Sequence, residues 1–331
     1  MKVAFVCPSY NGRRHKMHIA FKNHFDIRIF VKANKRSDLT VHSQATVCEN
    51  YNDLVAAATA SNVDVFHVFA NSTGIAKKLL QAGCKVVVDT HDLGLMRTRD
   101  PAASYVYNSV APKIFSSPVH LQYCMKRFNL GPNVCCIYNV PPRKWVSNIR
   151  RKHPLDGDNI VYYGGLHPKV GSVFGYRNYE RLFRIFRAAG IAVHVYGTDA
   201  KRASKLRKIA TIHDKLPYAA LFSELTRYRV GFLGYAKTGV PLQSVEYAKS
   251  CVPNKAFDYM AAGIPSLAFN LGYSARFVSA WGVCIDDENA IVSAYHRAKK
   301  LDVSAVDRSA FLMDNHVELV RKMYEKALLI P

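Results

Sequence analysis

Short apolar runs alternate with amphipathic segments along most of this chain. Lys2 to Pro8 is an apolar stretch that predicts a strand, and Met17, Ala20 and Phe21 share one face of a helix after it. Further strands are predicted at residues 25–31, 63–69, 85–89, 133–138, 159–163, 192–197 and 230–235. Strands that alternate with helices at this spacing predict parallel, doubly wound sheets with functional loops at the carboxyl ends of the strands.

Residues 252–270 contain the clearest local signals. Pro253 interrupts the preceding chain, the apolar spacing after it predicts a short helix, and Gly263 ends that helix before a strand at 266–269. At the carboxyl edge of a parallel sheet, the free N–H groups and the dipole of such a helix favour an anion such as a diphosphate. Asp258, one turn inside the helix, is then placed to accept hydrogen bonds from a ribose.

The stretch VPNKAFDYMAAGIPSLAF resembles the nucleotide-sugar signature of retaining GT-B glycosyltransferases of the family-4-like group. The shared features are Pro-x-Lys, an acidic residue, two small residues and Gly-x-Pro before an apolar strand. The resemblance implies an α/β protein with two Rossmann-like parallel-sheet domains that face each other across a cleft. The sequence departs from the family at Ser250, where a first acidic residue belongs; Glu246 is near but out of register.

The resemblance also implies which residues form the site. A His-Asp pair after the strand at 85–89 is similar to the pair that GT-B enzymes carry over the donor sugar, so His91 is expected to be catalytic. A cation before the helix near residue 180 is expected to stabilise the leaving diphosphate, and Arg177 matches by register, with Lys169 as the alternative. The expected donor-binding residues are Gly164, Gly165, Pro217, Tyr218, Glu246, Asn254, Lys255 and Asp258.

The resemblance implies transfer of a hexosyl or pentosyl group with retention of configuration. No metal ion is expected, because no DxD-type pair of aspartates follows a strand and cations with a helix terminus can neutralise a diphosphate. The expected co-substrate is a nucleotide sugar, for which UDP-glucose is a candidate, and no other cofactor is implied.

The length of 331 residues, of which 49% are hydrophobic, is sufficient for two domains. We predict an acceptor domain over 1–145, a linker over 146–158, a nucleotide-sugar domain over 159–310 and a last helix over 311–331 that crosses back to the first domain. The linker prediction comes from a basic and then polar segment that contains proline and glycine.

The net charge of +22 predicts attraction to an anionic partner. Residues 1–152 contain 22 Lys and Arg against 8 Asp and Glu, a balance of +14 that leaves +8 for the remainder. We therefore expect the first domain to bind the acceptor. The expected acceptor-binding residues, near loop ends, are Asn11, Gly12, Arg13, Arg14, Lys16, Arg97 and Arg99.

Three kinds of acceptor or partner remain open at the sequence level. A hydroxymethylated pyrimidine flipped out of DNA is favoured, since basic clusters scattered over several loops suit phosphate contacts and the case resembles virus-encoded DNA-modifying enzymes. An anionic lipid or cell-envelope glycan at a membrane surface is the alternative. The third is a non-catalytic, basic nucleic-acid-binding protein with a GT-B fold, which the missing acid at Ser250 supports.

The expected location is the cytoplasm, which is the host cytoplasm for a viral protein, with a peripheral place at the inner membrane as the alternative. The chain has no apolar run of the length that a bilayer requires, and its N-terminus passes from a short apolar strand into a basic loop. The eight cysteines contain no CxxC pair and are expected to be reduced thiols.

Overall fold

The structure, a computed structural model, describes residues 1–10, 12–33, 45–69, 73–91, 101–150, 152–167, 175–197, 206–236 and 242–330. The chain divides into two compact units, and the C-terminal segment belongs to the first of them. The first unit contains Met1–Pro142 with Leu312–Pro331, and the second contains Arg143–Phe311. The division therefore falls just after Pro142, ahead of the linker predicted at 146–158.

The first unit is built on a parallel sheet flanked by helices. Within its described residues the sheet has seven strands in the order β3-β2-β1-β4-β5-β6-β7. The strands are β1 (Lys2–Cys7), β2 (Asp26–Lys32), β3 (Ala45–Cys48), β4 (Val65–Phe69), β5 (Val86–Thr90), β6 (Lys113–Phe115) and β7 (Val134–Cys136). The helices are α1 (Arg13–Phe21), α2 (Tyr51–Thr59), α3 (Thr73–Gln81), α4 (Ala103–Asn108), α5 (Pro118–Met125) and, at the C-terminus, α13 (Val317–Leu328).

The second unit repeats this architecture. Its described residues form a six-stranded parallel sheet in the order β10-β9-β8-β11-β12-β13. The strands are β8 (Asn159–Tyr163), β9 (Ala192–Tyr196), β10 (Thr211–His213), β11 (Val230–Gly234), β12 (Ser266–Phe269) and β13 (Gly282–Ile285). The helices are α6 (Arg143–Ser147), α7 (Glu180–Ala188), α8 (Tyr218–Leu225), α9 (Leu242–Ser250), α10 (Asn254–Ala262), α11 (Ala275–Val278) and α12 (Ile291–Lys299).

The predicted helix, turn and strand at residues 252–270 are confirmed as α10 and β12. Gly263 closes α10 with a φ of 74°, the left-handed conformation that favours glycine at a helix end. The ring of Tyr259 packs on Gly231 of β11, where an added Cβ would lie 2.5 Å from the ring. The Tyr259 hydroxyl donates to the carbonyls of Val161 and Phe232 at 3.1 and 3.0 Å, which fixes α10 on the sheet.

Two segments differ from the prediction. Residues 242–250 carry no predicted element, because their sequence is too polar to show a clear apolar face, but they form α9. The segment after Pro142 begins with helix α6, because Trp145 is buried and stacks on Tyr218 with ring centroids 5.0 Å apart. The contact that stabilises α6 is remote in sequence, and this explains why its local signals are weak.

Within the described ranges, no helix is long and apolar enough to cross a bilayer. The same residues contain no group of three or more His, Cys, Asp or Glu side chains that could hold a metal ion. None of the eight cysteines forms a disulfide.

Candidate functional site

A glycine turn at the carboxyl end of β8 positions the site in the second unit. Gly164 has a φ of 117°, which favours glycine, and its N–H donates to the carbonyl of Tyr196 on the neighbouring strand at 2.9 Å. A Cβ on Gly164 would lie 3.4 Å from Cε and Nζ of Lys255. Lys255 therefore lies directly against the turn, and two residues predicted for the donor site are in contact.

Lys255 lies in the first turn of α10 and is half-buried against two tyrosine rings. Its Nζ is 4.8 Å from the ring centroid of Tyr162 and 5.5 Å from that of Tyr163. Burial lowers the pKa of Lys255 to about 7, with the charge of Arg177 also lowering it and the charge of Asp258 opposing. An anion at this point would favour the protonated lysine.

Arg177 supplies a second positive charge beside Lys255. It ends a short 3-10 helix, Gly175–Arg177, and its guanidinium carbon lies 5.4 Å from the ring centroid of Tyr176 while its side chain stays exposed. Among the described residues, neither Arg177 nor Lys255 forms an ion pair with a carboxylate. Two cations that repel each other and lack an acidic partner are suited to binding a multiply charged anion.

Asp258 lies one turn after Lys255 on α10, and it is 1% exposed. The hydroxyl of Tyr163 donates to its Oδ2 at 2.5 Å, a charge-assisted hydrogen bond. The carboxylate is therefore held by Tyr163 in this structure. Its contact with a ribose stays a prediction.

The other residues predicted for the donor site lie around the same strand ends. The carbonyl of Gly165 accepts a hydrogen bond from the Tyr162 hydroxyl at 3.1 Å, and Asn254 is the first residue of α10. Pro217 precedes α8, and Tyr218 is its first residue. The structure thus places these residues at element boundaries, where main-chain groups are available to a ligand.

Two predicted residues are not part of this cluster as described. Glu246 is exposed on α9, and none of the described hydrogen bonds or ion pairs joins it to Lys255 or Arg177. Lys169, the alternative to Arg177, lies outside the described residues.

The sequence reasoning missed three tyrosines that surround the cations, namely Tyr162, Tyr163 and Tyr176. Two of them form a Tyr-Tyr step directly before Gly164, at the end of a strand whose other residues are aliphatic or amide. A pair of aromatic residues next to a glycine turn is the signal that could have identified them.

In the first unit, His91 directly follows β5. Its main-chain carbonyl accepts a hydrogen bond from the Ser116 side chain at 2.6 Å, and its side chain is half-buried. A catalytic role for His91 stays a prediction. The acidic residue after it in the sequence, Asp92, lies outside the described residues.

Arg13 is a buried structural cation rather than an exposed one. Its Nε donates to both carboxylate oxygens of Asp89 at 2.8 and 2.9 Å, and both side chains are fully buried. Its Nη1 donates to the carbonyl of Ile137 at 2.8 Å. Burial raises the pKa of Asp89, but the Arg13 charge and the hydrogen bonds of His67 and Arg13 outweigh it, so the net shift is downward.

The network around Asp89 extends to the C-terminal helix. His67 Nε2 lies 3.3 Å from Asp89 Oδ2, and its Nδ1 lies 2.8 Å from the Tyr324 hydroxyl on α13. Burial lowers the pKa of His67, with Asp89 opposing, so the neutral ring is favoured. The Arg13–Asp89 pair is thus a charged pair in the interior of the first unit.

The other basic residues of α1 are also buried, so the expected exposed basic surface is absent here. Lys16 is 0% exposed and donates to the carbonyl of Asn139 at 3.1 Å, and Arg14 is 4% exposed. Gly12, with a φ of 51°, forms the turn before α1. Arg13 and Lys16 are directed at carbonyls and a carboxylate of their own unit, and the Arg14 guanidinium carbon lies 5.8 Å from the ring centroid of Phe69, which accounts for their burial. Asn11, Arg97 and Arg99 lie outside the described residues.

Comparison with known proteins gives matches of structure but not of sequence. No protein-family description matches the chain, and no curated protein matches it. Similar solved structures include HepE of Anabaena in complex with UDP and glucose, at 12% identity and a TM-score of 0.69 over 98% of this chain and 99% of that one. AviGT4, a glycosyltransferase of avilamycin A biosynthesis, has 12% identity and a TM-score of 0.64 over 99% and 98%.

A third similar structure is an α-glucosyltransferase in complex with UDP and a 13-mer DNA that contains an HMU base. It has 16% identity and a TM-score of 0.59 over 98% of this chain and 94% of that one. At these identities the likeness concerns the fold, and it agrees with the two parallel sheets of the two units. The predicted fold class is confirmed: the chain has the GT-B fold, with two Rossmann-like domains.

Proposed function

We propose that this protein is a glycosyltransferase that takes its sugar from a nucleotide sugar. The observation that carries the proposal is the pair of cations, Lys255 and Arg177, at the Gly164 turn, neither of which has a carboxylate partner among the described residues. A nucleoside diphosphate supplies the anion that such a pair lacks. Similar structures of the same fold are complexes with UDP, which supports this class of ligand.

The same geometry suggests how the residues of this site act in the transfer. As the glycosidic bond breaks, negative charge grows on the leaving diphosphate, and a fixed Arg and Lys stabilise that transition state more than the ground state. The N–H groups at the start of α10 add to this field. We propose that these groups, rather than a metal ion, neutralise the diphosphate.

We propose that the transfer proceeds with retention and that the leaving phosphate helps to deprotonate the acceptor hydroxyl. This step follows from the family resemblance of residues 252–270 and needs no nucleophilic side chain. The anomeric configuration of the product, read by NMR, tests it, since an inverted product would contradict the proposal.

For the acceptor, we propose a hydroxymethylated pyrimidine in DNA. The net charge of +22 supports a polyanionic partner, and one similar structure is an α-glucosyltransferase bound to DNA that contains an HMU base. The exposed basic surface that would hold DNA is not α1, whose cations are buried. We expect it on other parts of the first unit.

The test is a transfer assay with radiolabelled UDP-glucose and a small set of other nucleotide sugars. Hydroxymethylated DNA, unmodified DNA and anionic liposomes serve as parallel acceptors, and Lys255→Met is the matched control enzyme. We expect label in the hydroxymethylated DNA alone, and much less with the variant. Label in liposomes would move the proposal to a membrane acceptor. The absence of both hydrolysis and transfer with every donor would contradict an enzymatic role.

A further inference from the structure

Both cations of the candidate donor site lie against tyrosine rings. We propose that Tyr162, Tyr163 and Tyr176 are positioning residues, whose ring faces hold Lys255 and Arg177 while leaving both charges available to the diphosphate. The inference rests on the proposed function, since it concerns the same site. It assigns the tyrosines no part in the chemistry of transfer.

Each of the two cations lies close to the face of a tyrosine ring. Lys255 Nζ lies 4.8 Å from the Tyr162 ring centroid and 5.5 Å from that of Tyr163, and the Arg177 guanidinium carbon lies 5.4 Å from that of Tyr176. These separations fall within the roughly 6 Å over which a cation is attracted to an aromatic face. Tyr162 and Tyr176 are each 1% exposed, so their rings are fixed by the core beneath the site.

A ring face and a carboxylate restrain a cation in different ways. An aromatic face stabilises the cation by about 0.5–2 kcal/mol and adds no net charge. A carboxylate neutralises the cation and then competes with any incoming phosphate. Tyrosines are therefore a suitable support where the cation has to be ordered before the ligand arrives and yet remain unneutralised.

Another lysine of the same unit shows the contrasting arrangement. Lys299 lies 6.0 Å from the ring centroid of Tyr295, and its Nζ is also 2.6 Å from Oδ1 of Asp158. That lysine is paired with a carboxylate, and the pair links α12 to the residue before β8. Lys255 has two rings and, among the described residues, no carboxylate within ion-pair distance.

Tyr163 contributes in a second way through its hydroxyl. The carboxylate of Asp258 is close enough to influence Lys255 electrostatically, but the Tyr163 hydroxyl holds its Oδ2 at 2.5 Å. The hydrogen bond keeps Asp258 oriented toward Tyr163, so it does not close an ion pair with Lys255. One tyrosine thus supports the cation with its ring and restrains the neighbouring acid with its hydroxyl.

The test compares Tyr162→Phe with Tyr162→Leu, because phenylalanine keeps the ring face and leucine removes it. UDP and inorganic pyrophosphate are titrated as probes of the cations, and uridine is titrated as a probe without phosphate. We expect Phe to bind UDP within about twofold of the wild type and Leu to bind UDP and pyrophosphate about fivefold more weakly. Uridine affinity should be the same in all three proteins.

Tyr295→Leu is the matched control, because it removes a buried tyrosine ring of the same unit beside a lysine that already has an acid. It should lower the melting temperature but leave the ratio of UDP to uridine affinity unchanged. If Tyr162→Leu does not fold, the pair Tyr176→Phe and Tyr176→Leu poses the same question for Arg177.

Equal weakening by Phe and Leu, or an equal loss for uridine, would overturn the inference and make the tyrosine a general structural residue. UDP binding that is unchanged in the Leu variants would overturn it as well. Failure of the wild-type protein to bind UDP, pyrophosphate or any nucleoside diphosphate would instead contradict the proposed function.

Discussion

The two units use cations in opposite ways. In the first unit, Arg13 is fully buried and donates to both oxygens of Asp89, so its charge is neutralised within the fold. In the second unit, Lys255 and Arg177 lie side by side over tyrosine rings, with no acid paired to either among the described residues. The first arrangement stabilises the native state, and the second is costly until an anion binds.

This difference shows that a count of basic residues does not locate a binding surface. The basic run at the start of α1 is interior, whereas the proposed anion site contains, among the described residues, the two cations Lys255 and Arg177. What distinguishes Lys255 and Arg177 from Arg13 is that, among the described residues, neither forms an ion pair with a carboxylate. Variants of both kinds of cation test this difference.

Removal of Arg13 should cause the largest loss of stability. Arg13→Met leaves Asp89 buried without its partner, and such a change lowers the free energy of unfolding by about 3–5 kcal/mol. Urea denaturation followed by circular dichroism measures it. Arg181→Met is the control, because Arg181 pairs with Glu288 on the surface and should cost less than about 1 kcal/mol. Similar small losses in both variants would contradict the structural role of Arg13.

Removal of Lys255 should weaken nucleotide binding without lowering stability. Lys255→Met is expected to weaken UDP binding by about 10–100-fold, since a charge-assisted contact to phosphate is lost. The melting temperature should stay the same or rise, because a desolvated cation beside another cation has been removed. Calorimetric titration and thermal unfolding measure the two effects. In the control Lys299→Met, stability should fall and UDP affinity should not.

The pH dependence of donor binding should follow the protonation of Lys255. Because the pKa of Lys255 is lowered to about 7 and the anion binds its protonated form, UDP affinity should fall as pH rises through 7. Above that pH, binding should take up a proton, which calorimetry in buffers of different ionisation enthalpy detects. Lys255→Arg stays charged and should bind UDP with little change between pH 6 and 8. An identical slope in this variant would assign the titration to another group.

Glu246 should have the smallest effect on nucleotide affinity. Glu246→Gln is expected to leave UDP binding within about twofold of the wild type, because this side chain is exposed on α9 and solvent screens its charge. A larger change in UDP affinity, measured in the same titration, would place Glu246 at the diphosphate. An effect confined to the choice of donor sugar would fit its expected place in the donor site.

The features that could be predicted from sequence are those with local signals. Pro253, Gly263 and the apolar spacing between them specify α10 within a dozen residues, and the alternation of strands and helices specifies the fold class. The burial of Arg13 could not be seen in this way, since Asp89 is 76 residues away along the chain. The tyrosine support of Lys255 was missed for the same reason, because β8 and α10 meet only in the folded unit.

The most direct test of the central claim is the affinity of the wild-type protein for uridine, UMP and UDP, measured at pH 6.5 alongside Arg177→Met. If two unneutralised cations form a diphosphate site, affinity rises with each phosphate, and the variant loses most of the gain between UMP and UDP. Equal affinities for the three ligands, or the same gain in the variant, would contradict the account.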